Sequence, residues 1–136
     1  MTKVRVHSAF LANSAEVKDT LAYVLGGFPE WWTVPALPAS AFLAMVVVLE
    51  LRDDEVDQEY TFDLVVDRLG DTTPIAQVRS KRGRSDRAPG APILHVIAVN
   101  FIVQFETEGP HDFVLLSYGV QLARVPLLVR LDRPTP

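Results

Sequence analysis

The sequence contains no cysteine. That absence excludes a disulfide framework and thiolate chemistry, and it fits a reducing compartment. Its three histidines, His7, His95 and His111, stand far apart, so neither HxH nor HExxH spacing occurs and no metal motif is legible. No GxSxG elbow, GxGxxG loop or Walker pattern is present, and Gly26, Gly27 and Gly83 belong to none of them. The serines Ser8, Ser14, Ser40, Ser80, Ser85 and Ser117 have no activating neighbour in sequence. No catalytic residue, cofactor or metal site is assigned on these grounds. Positive charge is also scarce: 13 Lys and Arg against 17 Asp and Glu leave a net charge of −4, which argues against general nucleic-acid binding. The longest apolar stretch, residues 34–49, is interrupted by Pro35, Pro38 and Ser40, and its unbroken part is shorter than the ~20 residues a membrane span needs. At the N-terminus Lys3, Arg5 and His7 alternate with Val4 and Val6, unlike a signal peptide. A cytoplasmic protein without membrane segments is expected.

What is abundant is a period of two, the mark of strands. Over residues 59–68 the even positions Tyr60, Phe62, Leu64 and Val66 are apolar, while Thr61, Asp63 and Asp67 are polar. Residues 93–105 carry Ile93, Ile97, Val99, Phe101, Val103 and Phe105 on one face. Residues 42–51 are apolar on both faces, as in a central strand. Shorter strands are expected at residues 4–12, 21–25, 74–80, 113–118 and 122–131. Turn chemistry separates them at Leu69-Gly70-Asp71, Ala88-Pro89-Gly90, Glu108-Gly109-Pro110 and Tyr118-Gly119-Val120. Residues 14–20, with Ser14 as a cap, read as a short helix or as a tight strand connection. A chain of 136 residues suits one domain with its own core. The expectation is an all-β protein: a single antiparallel β-sandwich of about eight strands, immunoglobulin-like or related, over residues 1–131, with a loose tail at 132–136.

The string from Ala9 through Asp19, followed by Leu21-Ala22-Tyr23-Val24-Leu25-Gly26-Gly27, resembles the opening of an uncharacterised bacterial family of small all-β proteins, often actinobacterial. The ending from Gly109-Pro110 to Leu131 is similar to the hairpin that closes its members. The resemblance spans nearly the whole chain. It implies a compact, cytoplasmic β domain and carries no activity, cofactor or catalytic residue.

Four local features are candidates for function. The acidic run at residues 53–59 reads as a solvated hairpin connection, since it lacks the order and glycine of a calcium loop. A basic loop holds Arg79, Lys81, Arg82, Arg84 and Arg87; without interleaved aromatics it offers no stacking platform for bases. His95 shares its strand's apolar face and reads as a hydrogen-bonded core or rim residue, whereas His111 reads as a solvated turn residue. The richest segment is Gly26-Gly27-Phe28-Pro29-Glu30-Trp31-Trp32, which contains both tryptophans. Neighbours on an extended chain point to opposite sides, so Trp31 and Trp32 are expected to face apart, one of them outward. Phe28, Trp31 and Trp32 are accordingly the candidate interface, because indoles are enriched in binding hot spots.

Together these readings predict a non-enzymatic binding or assembly module, homo-oligomeric through the Trp segment or through an uncovered strand edge. Two alternatives stand beside it. One is a small-ligand or metal-dependent site at one end of the sandwich, marked by a histidine close to carboxylates. The other is a structural component of a larger bacterial assembly, built on heterologous contacts.

Overall fold

A computed structural model describes residues 5–83 and 90–132. The described chain forms nine strands: β1 Arg5–Lys18, β2 Leu21–Gly27, β3 Trp31–Val34, β4 Ala39–Leu51, β5 Glu59–Arg68, β6 Asp71–Lys81, β7 Ile93–Phe105, β8 Gly109–Ser117 and β9 Val120–Leu131, with one 3-10 turn at Asp53–Glu55. They build two sheets, ordered β2-β1-β4-β7 and β3-β9-β8-β5-β6. The all-β character is as expected. The count and the purely antiparallel pairing are not, and β3 is the reason. It enters the second sheet alongside β9 and runs parallel to it, with Trp31 beside Leu128 and Val34 beside Leu131.

The core between the sheets follows from alternation. Along β7 every odd position from Ile93 to Phe105 is buried, and along β5 Tyr60, Phe62, Leu64 and Val66 are buried. Phe62, Phe105, Phe113, Leu11, Leu43, Met45 and Leu64 are its largest wholly enclosed side chains. Burying each such side chain stabilises the fold by about 1.5–3 kcal/mol before entropy is counted. β4 is central, paired to β1 on one side and β7 on the other.

Its outer face is covered too, which explains its two-sided apolar pattern. β1 leaves β4 after the pair Ala12–Ala44. The rest of β1 then passes over β7, where Asn100 Nδ2 donates to Ala15 O at 2.8 Å and Ala15 N–H donates to Asn100 Oδ1 at 3.3 Å. Ala12, Ala15, Ala44 and Val46 form a second small core there, with Phe10, Val24, Val96 and Ala98 against it. Small side chains let the crossing strand approach closely.

Two expectations need correction here. Residues 14–20 form no helix; β1 continues to Lys18, and Asp19 and Thr20 turn the chain with φ of 52° and 65°. Two turns of helix are marginal alone, whereas pairing with β2 supplies a backbone partner for each residue. The acidic run is not a hairpin connection, because it carries the chain from β4 in one sheet to β5 in the other. Nor is it wholly solvated, since Glu55 is 1% exposed. Glu55 Oε1 accepts from Arg5 Nη2 at 2.6 Å and from Arg52 N–H at 2.8 Å. Burial pushes its carboxyl up, but these hydrogen bonds and the two arginine charges outweigh burial and hold it below the usual carboxylate range. At the C-terminal end of the described chain Asp132 N–H donates to Val34 O at 2.8 Å. Residues 133–136 lie outside the described residues.

Candidate functional site

The segment joining β2 to β3 is shaped by its backbone. Gly26 has φ +63°, and a Cβ there would stand 2.8 Å from the Asn13 side chain, so glycine is required twice over. Phe28 also adopts a positive φ of 60°, a costly conformation for a bulky residue. It is held by its N–H, which donates to Leu11 O at 2.8 Å, and by stacking on Phe10 with ring centroids 4.5 Å apart. Phe28 nevertheless remains 73% exposed.

The two tryptophans face apart. Trp31 is 52% exposed and lies under the Arg130 guanidinium, 5.3 Å from the ring centre. Trp32 is half-buried and packs against the main core. Beside them an apolar groove of about 510 Å³ opens between β1 and β9, lined by Ala9, Phe10, Phe28, Pro29, Pro126 and Leu128 among others. β2 is apolar and exposed as well: Leu21, Tyr23 and Leu25 are each more than half exposed.

Among the described residues β2 is also an uncovered sheet edge, paired only with β1. Its residues LAYVLGG carry no charge and no proline, the devices by which edges usually discourage further pairing. The turn at Asp19-Thr20, with both φ positive, closes the hairpin on a hydrogen-bonded Lys18–Leu21 pair. By alternation Leu21 and Tyr23 direct their backbone groups to β1, while Ala22 and Val24 direct theirs outward. The other edges differ. β6 carries Pro74, Arg79 and Lys81, with an irregular register at Val65–Pro74. β3 is four residues long, and β7 lies beside β6 across the seam between the sheets.

The basic loop is not a single structure. Arg79 and Lys81 belong to β6 and are exposed, and Arg82 is half-buried with its backbone carbonyl accepting from Asp57 N–H at 2.8 Å. Arg84 and Arg87 lie outside the described residues.

Of the histidines, His7 is exposed on β1. His95 is buried and shares a 2.6 Å hydrogen bond with Ser80 Oγ across the sheets. Burial, with the Arg82 charge adding to it, lowers its pKa below the ordinary 6.5. Ser80 thus has the basic neighbour that sequence spacing did not reveal, though among the described residues no carboxylate is bonded to the His95 ring. His111 is the larger correction: it is 3% exposed, in β8 rather than a turn. Its Nδ1–H donates to Gly109 O at 3.0 Å, and its ring meets Phe105 edge-on at 5.1 Å. It lines a second cleft of about 470 Å³ at the seam between β6 and β7, together with Arg68, Asp71 and Glu106. The missed signal is the alternation His111, Phe113, Leu115, Ser117, all buried.

Among the described residues no three His, Asp or Glu side chains gather to hold a metal ion, and no helix is long and apolar enough to cross a membrane. The chain matches no protein-family model, and no curated protein shows significant similarity to it.

Proposed function

We propose that this chain is a non-enzymatic assembly module that pairs with a second copy of itself through β2. The observation that carries the reading is the uncovered, uncharged edge of β2, with Leu21, Tyr23 and Leu25 exposed along it and exposed Phe28 and Trp31 following in the chain. An apolar edge meets its own two-fold copy without like-charge repulsion, and antiparallel addition extends a sheet with backbone hydrogen bonds. In the pairing proposed, Ala22 and Val24 of one copy bond Val24 and Ala22 of the other, Tyr23 faces its own copy, and Leu21 faces Leu25. Phe28 and Trp31 flank this contact as anchors. The absence of cysteine supports a reducing, cytoplasmic setting. The resemblance to small bacterial β proteins agrees with this reading and adds no activity.

Light scattering on size-exclusion fractions tests it. The parent is expected to be a dimer. Ala22→Pro removes only an outward N–H and is expected to be monomeric with an unchanged circular dichroism spectrum. Trp31→Ala is expected to weaken association by about tenfold or more. A parent that stays monomeric up to about 1 mM, a concentration at which even weak pairs associate, overturns the proposal.

A further inference from the structure

We infer that the cleft at the β6–β7 seam is a binding site for a small aliphatic zwitterion, of the kind represented by a free aliphatic amino acid. Its volume of about 470 Å³ lies within the ~300–1,000 Å³ range of small-molecule sites. Half-buried Arg68 and buried His111 line the recess together with polar and apolar side chains. Arg68 is half-buried, and its Nε is enclosed with no hydrogen-bond partner. Such a donor costs free energy unless something accepts from it. His111, committed through Nδ1–H to Gly109 O, presents Nε2 as an acceptor in the neutral ring.

The charge balance selects the ligand. Arg68 supplies one positive charge to the lining, and Asp71 and Glu106 supply two negative charges at the rim. A simple anion meets two carboxylates, and a simple cation meets the guanidinium. A molecule bearing both an ammonium and a carboxylate satisfies both. Its carboxylate pairs with Arg68, and its three ammonium hydrogens go to Asp71, Glu106 and His111 Nε2. Glu106 already accepts from Gln104 Nε2 at 3.0 Å, which leaves it further lone pairs. Ile75, Ile102 and Val103 wall the recess and cover an aliphatic body. The lining of this cleft includes no residue of β2 and neither Phe28 nor Trp31.

The test is a titration of the full-length protein with L-leucine, read by amide chemical shifts in two-dimensional NMR. Saturable shifts are expected at residues of the cleft and not along β2. N-acetyl-leucine, which lacks the ammonium, and leucinamide, which lacks the carboxylate, are each expected to bind about tenfold more weakly. Arg68→Gln, whose spectrum itself reports that the fold is intact, is expected to abolish the difference between leucine and leucinamide. Absence of saturable shifts with leucine, valine or isoleucine up to ~20 mM, beyond which affinity is too weak for a built site, overturns the inference. So does N-acetyl-leucine binding as tightly as leucine.

Discussion

At the scale of single residues, burial decides what polar groups do, and composition is silent about burial. Glu55 and His111 sit in stretches that read as solvated, yet both are buried, while His95 is buried on the apolar face where alternation places it. His95 bonds Ser80, His111 bonds the Gly109 carbonyl, and Glu55 Oε1 accepts twice while its Oε2 is enclosed without a partner among the described residues. His95 makes stability depend on pH. Its folded pKa lies below the ordinary 6.5, chiefly because burial disfavours the imidazolium. The unfolded chain therefore binds the proton first as pH falls. Stability is expected to decline as pH drops through 6.5 and to level off once the folded value is passed. Urea midpoints compared at about pH 7.5 and about pH 5 check this. His95→Gln is expected to remove this part of the decline while retaining a hydrogen-bonding group near Ser80.

Element by element, strands were legible wherever one face meets a core and the other meets water. β5 and β7 fall at the boundaries that alternation predicts. β1 and β2 were harder, because the second half of β1 packs across the outer face of its own sheet and breaks the simple rule. Asn100 is the hinge of that arrangement. Its amide replaces a strand partner for both backbone groups of Ala15. Asn100→Ala is expected to destabilise the fold by about 1–3 kcal/mol. Hydrogen exchange is the sharper readout: amides of β1 beyond Ala12 and of β2 are expected to exchange faster, while those of β5 and β8 keep their protection. Uniform loss of protection across both sheets counts against a local role for Asn100.

For the whole molecule, the proposed pairing links stability to concentration. A chain that dimerises through β2 is expected to unfold at a temperature that rises with protein concentration, since association stabilises the native state by mass action. Calorimetry over about a hundredfold concentration range checks it. Ala22→Pro is expected to unfold at a midpoint independent of concentration. The candidate site was partly legible at this scale as well. Opposed tryptophans followed from the two-residue period; that Trp31 is the outward one is decided by the structure. The cleft beside His111 was not legible, because Arg68 comes from β5, Asp71 from β6, Glu106 from just after β7 and His111 from β8.

By itself the sequence determined the all-β class, the burial faces of β5 and β7, the two-sided apolar β4 and the opposite facing of Trp31 and Trp32. These are local consequences of side-chain alternation, which needs no knowledge of the neighbouring strand. Only the tertiary structure decided that β3 runs parallel to β9, that β1 folds over its own sheet, and that β2 is left as an edge. It alone brought Glu55 to Arg5, His95 to Ser80, and His111 into a cleft with Arg68. These depend on which strands lie side by side, and strand order is set by the packing of distant segments into one common core.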